Sequence, residues 1–485
     1  MSESTLEAPP IHAPPAGAAA QPSAPERWTL RLFMRRHPWW TSAILVTLFS
    51  TLLVLWARTR PGFDPYGWLV WGHQTLTGSL DTNAAPSWKP LPYLLTVPFA
   101  LAGHYQPYLW MVASVAVSLG GVVFAGRIAY RLTDARPERR YAAIAAAAFA
   151  GVALLGIQNY SHYVLSAQSD PMIVTLCLGA IDCHLSKHPR WAFALGVLAA
   201  LGRPEVWPFL GLYTIWAWRT IPSMRCMIGS GLLLIVLLWF GIPALTARSP
   251  FVAATNALGS GRRLHENKVL GTINRFLGMY EAPLELAALV AVALAAVRRD
   301  RTTLALAGAV VAWVIIEIAF ALHGWPGLVR YMFEAGGVMV VLAGIAVGKL
   351  LAEPPSLRGV PAWVGPVLVI ALVSSLVPAA ISRAGAEHKD LRVQRARTAE
   401  LNRLVGVVQK LGGAARLHPC GEPLTRLEYQ TALAWSLKDN VSRVGFKYSQ
   451  AIAHGNPIVL FTPESTGWKV QALHQVLPQC LTLPH

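Results

Sequence analysis

The residues best suited to acid–base chemistry lie in one short segment, Phe63-Asp64-Pro65-Tyr66-Gly67-Trp68, directly after the first long apolar run. The carboxylate of Asp64 is a candidate proton acceptor, and Tyr66 is a candidate neighbour in the same cavity. Asp followed by Pro is also a helix start signal, so Asp64 is alternatively a helix N-cap. The two interpretations are compatible, because a capping carboxylate can still face a cavity.

A lysine stands 25 residues further on, in Lys89-Pro90-Leu91-Pro92-Tyr93. A lysine at the head of a short apolar helix, at a membrane surface, can hold a phosphate. The alternative is an interfacial anchor whose ammonium group snorkels to the lipid headgroups.

Three further sites carry charge next to apolar runs. Arg203 and Glu205 stand at a tight turn, Arg330-Tyr331 opens a late apolar run, and Asp170 precedes Pro171. Basic side chains at membrane depth need an anionic partner, for which a lipid-linked phosphate is one candidate. The alternatives are internal pairing of Arg203 with Glu205 or Asp170, and a helix N-cap at Asp170.

The sequence lacks the motifs of several other common kinds of catalytic or binding site. There is no His/Cys cluster with zinc spacing, no phosphate-cradling glycine loop and no nucleophile elbow. The sequence therefore predicts neither a metal nor a cofactor.

The elements that must position these residues are membrane helices. Of 485 residues, 54% are hydrophobic and only 13% are charged, whereas an ordinary soluble domain has about 25% charged residues. The 41 basic residues exceed the 24 acidic ones by 17. They fall mostly in short clusters between apolar runs, as the positive-inside rule expects, and this distribution argues against nucleic-acid binding.

The apolar runs predict an all-α polytopic fold with about eleven spans. They are Trp39–Trp56, Tyr108–Ala129, Tyr141–Ile157, Pro171–His184, Trp191–Leu201, Val206–Trp218, Met227–Leu245, Pro283–Val297, Thr302–Leu322, Tyr331–Leu350 and Trp363–Ile381.

The run Leu91–Ala102 is short and proline-rich, which predicts a re-entrant or interfacial helix in the first outward-facing loop. Counting it as a span would put the arginines from Arg127 to Arg140 outside, against the charge rule. The preferred count predicts a bacterial inner-membrane protein with a cytoplasmic N-terminus and an extracytoplasmic tail.

Three regions follow from this pattern. Residues 1–30 are Pro/Ala-rich and predicted to be disordered and cytoplasmic, residues 31–382 form the membrane domain, and residues 383–485 form a small extracytoplasmic α/β domain. In that tail, Ala414–Leu417 and Pro457–Phe461 resemble short buried strands. Cys420 and Cys480 are a candidate disulfide, because an extracytoplasmic tail is in an oxidising compartment.

Taken together, the chain resembles the GT-C class of polytopic glycosyltransferases, especially the branch with protein O-mannosyltransferases and lipid A aminoarabinose transferases. Those enzymes have an Asp just after the first span and a Lys-Pro-Pro-Leu element about 25 residues later, which Asp64 and Lys89-Pro90-Leu91 match here. Asp170, the Arg203 turn and Arg330-Tyr331 continue the similar order. The class commonly has a second acid directly after the first-loop Asp. This chain has Pro65 there, so the resemblance carries over no metal site.

The resemblance implies transfer of a sugar from a polyprenyl-phosphate donor to an extracytoplasmic acceptor hydroxyl on a glycan, lipid or protein. Asp64 would be the general base, and Lys89, Arg330 and Arg203 would bind the donor phosphate. Membrane lipids are the other expected partners. The competing hypothesis is a transporter or flippase for an anionic or lipid-linked envelope precursor, which would be expected to show internal repeats that this sequence lacks.

Overall fold

The structure is a computed structural model that describes residues 36–134, 136–259, 264–352, 361–453, 455–465, 467–474 and Cys480. Residues 1–45 form one unit and residues 46–485 form another. The described part of the first unit is residues 36–45, which include the beginning of helix α1 (Pro38–Ala57). The segment predicted to be disordered, residues 1–30, lies outside the described residues.

Helices account for most of the described chain. After α1 they are α2 (Phe63–Leu76), α3 (Pro90–Ala100), α4 (Gln106–Thr133), α5 (Arg140–Leu155), α6 (Tyr160–Leu165), α7 (Ser169–Leu185), α8 (Pro189–Gly202), α9 (Trp207–Thr220), α10 (Arg225–Val236), α11 (Ile242–Thr246), α12 (Val252–Leu258), α13 (Lys268–Leu277), α14 (Ala282–Arg298), α15 (Arg301–Leu322), α16 (Phe333–Ala352) and α17 (Val364–Lys410). A π-helical segment, Leu237–Gly241, joins α10 to α11, and 3-10 turns at Pro204–Val206 and Val329–Met332 precede α9 and α16.

Each of the predicted spans coincides with a helix, and the chain is a multi-pass membrane protein. In the described part, six helices are long and apolar enough to cross a membrane, and a seventh span results if α13 and α14, bent by 94°, are counted together. The other four predicted spans are α5, α7, α8 and α9, which have 14 to 17 residues. Such helices are about 21 to 26 Å long, shorter than a ~30 Å hydrocarbon core. The count of eleven therefore stays a prediction.

The first long loop (residues 58–105) folds into the paired helices α2 and α3. Pro90 and Pro92 occupy the start of α3, where a missing backbone N–H costs nothing, and the helix has only 11 residues, about half of a span. The two helices approach closely at Gly72, where an added Cβ would lie 2.5 Å from the carbonyl oxygen of Thr96. The Thr96 hydroxyl donates a 2.9 Å hydrogen bond to the Trp68 carbonyl. This packing fixes Lys89, the residue before α3, relative to Asp64 in α2.

The last long helix continues past the expected domain boundary. α17 has 47 residues, and the predicted boundary between residues 382 and 383 falls within it. The second half of α17 carries alternating charged and aliphatic residues rather than a continuous apolar run, which explains why only the first half was predicted to be a span.

The residues from Gly413 onward, here called the C-terminal sheet domain, contain a three-stranded sheet. Strand β2 (Ile458–Pro463) lies between β1 (Glu422–Leu424), which is parallel to it, and β3 (Trp468–Leu473), which is antiparallel. The other elements of the domain are the short helix α18 (Gly413–Leu417), α19 (Gln430–Leu437), α20 (Tyr448–Ala453) and the disulfide Cys420–Cys480.

One predicted strand of this domain is wrong. Ala414–Leu417 belongs to α18, because Gly412 and Gly413 take positive φ angles that end α17 and start a new helical turn. The first strand is instead Glu422–Leu424, which contains Pro423 and has only three residues, too few to give a periodic signal. The predicted strand Pro457–Phe461 overlaps β2.

Candidate active site

A cavity of about 950 Å³ lies where three separate segments of the chain meet. The first long loop contributes Phe63, Asp64, Trp68, residues 83–87 and Lys89. The second long loop (residues 247–281) and the segment before α16 contribute Thr255, Asn256, Ala257, Gly259, Pro326, Leu328, Arg330 and Tyr331. The C-terminal sheet domain contributes Glu422, Leu424, Leu427, Gln430, Ser442, residues 444–447, Ala451, Asn456 and Ile458.

Asp64 lies in this cavity and does not cap its helix. α2 begins at Phe63 and its N-cap residue is Gly62, so Asp64 is in the first turn and makes no capping hydrogen bond. Its carboxylate lies 3.2 Å from the guanidinium of Arg330. The N-cap interpretation of Asp64 is therefore wrong, and its principal partner is a cation 266 residues away.

Lys89 points into the same charged cluster. Its ammonium Nζ lies 3.3 Å from the Ser169 hydroxyl and 4.0 Å from the carboxylate of Asp170. Burial lowers the pKa of Lys89 below its ordinary value, and the neighbouring Asp170 carboxylate opposes that shift. The side chain is 16% exposed, so Lys89 does not extend outwards as a snorkelling interfacial anchor would.

Arg330 is the second cation of the cavity. It lies in the 3-10 turn that precedes α16, and its guanidinium is 3.2 Å from Asp64 and 3.8 Å from Asp170. Tyr331 also lines the cavity, and its backbone carbonyl accepts a 2.9 Å hydrogen bond from the indole of Trp313 on α15. The turn before α16 thus delivers one cation and one aromatic ring to the site.

Asp170 is the buried carboxylate that contacts both cations, Lys89 and Arg330. It is fully buried in the first turn of α7, where Gln168 is the N-cap residue, so the N-cap interpretation of Asp170 is also wrong. Its carboxylate contacts Lys89, Arg330 and Arg203. It is not among the cavity-lining residues, which makes it a support for the cations rather than a cavity residue.

Arg203 lies outside the cavity in which the sequence predicts it. It is buried against Asp170, Glu205 at 3.3 Å and Glu334 at 3.2 Å, and its guanidinium stacks 4.3 Å from the Tyr331 ring. Neither Arg203 nor Glu205 lines the cavity. The expected contact of Arg203 with a phosphate is therefore replaced by the alternative of internal pairing.

Tyr66 is also outside the cavity lining. It is buried, with its ring centroid 5.7 Å from that of Trp435. Since side chains two residues apart on a helix point in different directions, Tyr66 packs against α19 while Asp64 faces the cavity.

Two groups of residues at or near the site were not predicted from the sequence. Glu317 and Glu334 are buried acids within α15 and α16; acids inside apolar runs are a recognised signal that could have identified them. The second group ties the tail to the Asp64 segment: Thr431 donates a 2.7 Å hydrogen bond to the carbonyl of Phe63, and Arg397 donates one of 2.9 Å to that of Pro61. These contacts span more than 300 residues and have no local pattern.

No metal cluster is found in the described ranges, where no group of three or more His, Cys, Asp or Glu side chains is placed to hold an ion. The cavity lining contains two carboxylates (Asp64 and Glu422), three cations (Lys89, Arg330 and Lys447) and several neutral hydrogen-bonding groups, and Asp64 is the carboxylate that pairs with a lining cation across the site.

Comparison with known proteins gives a fold match. The sequence matches no protein-family model and no curated protein. A crystal structure of ArnT from Cupriavidus metallidurans bound to undecaprenyl phosphate is similar with a TM-score of 0.52 at 16% identity, covering 89% of this chain and 94% of that one. The chain has the fold of ArnT. The apo crystal structure of ArnT gives a TM-score of 0.50 with the same identity and coverage.

ArnT is a lipid A aminoarabinose transferase of the GT-C class, so the GT-C fold implied by the sequence resemblance is confirmed. At 16% identity the likeness to ArnT establishes the fold alone. A fold hosts many functions, so the activity has to be argued from the cavity.

Proposed function

We propose that this protein is a membrane glycosyltransferase that moves a sugar from a polyprenyl-phosphate donor to an extracytoplasmic acceptor hydroxyl. The observation that carries the proposal is the convergence of Asp64, Lys89 and Arg330 on one cavity. Segments around residues 64, 89 and 330 contribute one carboxylate and two cations, which is the set that such a transfer needs. The fold of ArnT, which was crystallised with undecaprenyl phosphate, supports the lipid class of the donor.

Lys89 and Arg330 bind the donor phosphate in this proposal. Hydrogen bonds between a cation and a phosphate oxygen are stronger than neutral ones, and more so where water is excluded. Asp170 beneath them neutralises part of their mutual repulsion and orients both toward the cavity. Arg203 does not contact the donor in this proposal. It is a positioning residue that pairs with Asp170 and donates a 3.4 Å hydrogen bond to the Arg330 carbonyl.

Asp64 is the general base in this proposal. In the structure its carboxylate pairs with the guanidinium of Arg330. A donor phosphate competes for the same guanidinium and so releases Asp64 to face the acceptor. The acceptor oxygen then attacks the anomeric carbon, its proton passes to Asp64, and the carbon–oxygen bond to phosphate breaks. The electron pair leaves on the polyprenyl phosphate, whose charge Lys89 and Arg330 stabilise.

The orientation of the chain is part of the proposal. Arginines cluster at the end of α4 opposite the cavity, where Arg127 and Arg131 pair with Asp182, and the positive-inside rule assigns that end to the cytoplasm. Residues 31–382 are then a membrane domain with its cavity on the extracytoplasmic side, and residues 383–485 include the extracytoplasmic sheet domain. The inner membrane of a bacterium is the proposed location.

The test is Asp64→Asn in purified protein reconstituted in nanodiscs with lipid-linked sugar. We expect transfer to fall at least about 100-fold, since general bases contribute about 10² to 10⁴ in rate, while undecaprenyl phosphate binding persists. Asp134→Asn, at the exposed C-cap of α4, is the matched control and should transfer at the wild-type rate. Unchanged transfer by Asp64→Asn would refute the general-base role.

A further inference from the structure

The C-terminal sheet domain supplies 12 of the 29 cavity-lining residues, yet it contributes none of the three charged groups assigned to the donor reaction, Asp64, Lys89 and Arg330. Hydrogen bonds also join this domain to α2, the helix that carries Asp64. Thr431 of α19 bonds to the Phe63 carbonyl, and Trp435 donates a 3.2 Å hydrogen bond to Gln106, which in turn donates to the Leu69 carbonyl at 3.0 Å. A wall bonded to the start of α2 and, through Gln106, to its middle is suited to present a second substrate to Asp64.

The exposed groups on that wall are mostly polar. Glu422, Ser442, Lys447 and Asn456 are exposed and line the cavity, and the Phe446 ring stands among them with 36% of its surface exposed. Carboxylate, hydroxyl and amide oxygens accept hydrogen bonds, and the ammonium and amide groups donate them. An exposed aromatic side chain on the same wall as such groups matches the chemistry of a sugar, which has an apolar C–H face and a rim of hydroxyls.

A peptide has no strand edge to join here. The outer edge of β1 is already occupied, because Gly445 donates a 2.9 Å hydrogen bond to the Pro423 carbonyl and accepts one of 3.1 Å from the Thr425 amide. Peptides that bind by β-strand addition need an unpaired edge. This edge of the sheet is therefore closed to that mode of recognition.

A lipid chain has little apolar surface to cover. Leu424, Val444 and Ile458 line the cavity but are buried, so the exposed apolar groups of the wall are Leu427 and Phe446. Binding of an acyl chain depends on burying a large apolar area, which two partly exposed side chains do not provide.

We infer that this wall is the acceptor site and that it takes a saccharide, with Phe446 stacking on one sugar ring and Glu422 and Asn456 bonding its hydroxyls. The inference rests on the proposed function and deepens it by naming the acceptor class. It assigns Phe446 and Glu422 as specificity-determining residues, separate from Lys89 and Arg330, which bind the donor.

The experiment measures the two substrates separately, with nanodisc-embedded full-length protein. One arm titrates undecaprenyl phosphate. The other presents an array of bacterial envelope saccharides, with serine- and threonine-rich peptides and phospholipid vesicles as comparison ligands. The variants are Phe446→Ala, Glu422→Gln and Lys89→Ala. Phe251→Ala is the matched control, because Phe251 is an exposed phenylalanine of the second long loop that does not line the cavity.

We expect wild type and Phe251→Ala to bind a common set of saccharides. Phe446→Ala and Glu422→Gln should weaken that binding at least about fivefold and leave undecaprenyl phosphate affinity within about twofold of wild type, since neither residue belongs to the cation cluster. Lys89→Ala should do the reverse. Peptide or vesicle binding that depends on Phe446, or no saccharide bound at millimolar concentration, would overturn the acceptor assignment. Loss of neither substrate in Lys89→Ala would instead count against the donor site of the proposed function.

Discussion

The charged residues of the site form one connected cluster whose members differ in burial, and this difference assigns their roles. Asp64, Lys89 and Arg330 retain 20%, 16% and 11% of their side-chain surface, while Asp170 and Arg203 retain 0% and 3%. Groups that keep some exposure can meet a substrate. Groups without it can act only through their neighbours.

The sequence predicted the identity of these residues better than their roles. Asp64, Lys89, Asp170, Arg203 and Arg330 all belong to the cluster. Which of them faces the cavity depends on helix rotation and on partners more than 100 residues away, such as Glu334 beside Arg203. A single sequence does not encode those long-range contacts in any local pattern.

Binding of the donor phosphate should depend on pH through Lys89. Burial lowers the pKa of Lys89, and only the protonated ammonium attracts a phosphate. Affinity for undecaprenyl phosphate should therefore fall as pH rises through that lowered pKa, earlier than an ordinary lysine would allow. Titration in nanodiscs from pH 7 to 10.5 measures this. Lys89→Arg, whose guanidinium stays charged, should flatten the fall, and an unchanged profile in that variant would contradict the assignment.

Arg203 should matter more for stability than for substrate binding. Arg203→Ala leaves Asp170, Glu205 and Glu334 buried together without their common cation. Removing one partner of a buried ion pair costs about 3 to 5 kcal/mol, so we expect a clear drop in thermal unfolding temperature in detergent. Arg403→Ala, at an exposed position of α17, is the control. Adding Glu334→Gln to Arg203→Ala should recover part of the loss, and failure to do so would argue against a charge-based cause.

At the scale of elements, the distances among the catalytic groups depend on how α2 packs on α3. The apolar run after Lys89 is short and contains prolines, which predicted a short helix, and the structure has a helix of 11 residues there. The close approach of the two helices could not be predicted, since Gly72 has the same local signature as any other helix glycine. The three-residue strand β1 was missed for a similar reason, because its pairing with β2 is set by residues more than 30 positions away.

Gly72→Ala tests that packing. An added methyl group would lie 2.5 Å from the backbone oxygen of Thr96, which cannot move without shifting α3, so overpacking should destabilise the fold by about 1 to 3 kcal/mol. Moving α3 also displaces Lys89 from Asp64, so transfer should fall as well. Gly211→Ala is the matched control, because a Cβ at Gly211 on α9 meets no atom within 4 Å. It should be neutral or slightly stabilising by helix propensity, and equal effects of the two substitutions would refute the packing argument.

At the scale of the whole molecule, the proposed reaction requires the cavity and the C-terminal sheet domain to be on the extracytoplasmic side. Charge clusters in the sequence predict this only if α3 does not cross the membrane. If α3 were a span, every later segment would change sides: the turn at Pro222–Met224 would be outside and the sheet domain inside. The two topologies therefore assign opposite sides of the membrane to every loop that follows α3, so labelling any of these loops distinguishes them.

A matched pair of serine substitutions distinguishes the two topologies. Ser223 lies in the exposed turn before α10, and Ser465 lies in the exposed loop between β2 and β3. With Cys177, Cys183 and Cys226 replaced by alanine to remove the free thiols, Ser223→Cys and Ser465→Cys are labelled in whole cells with a membrane-impermeant maleimide. We expect Ser465→Cys to react in intact cells and Ser223→Cys to react only after permeabilisation, because positive clusters flank Ser223. The opposite pattern would make α3 a span and would place the sheet domain on the cytoplasmic side, where the proposed acceptor is absent.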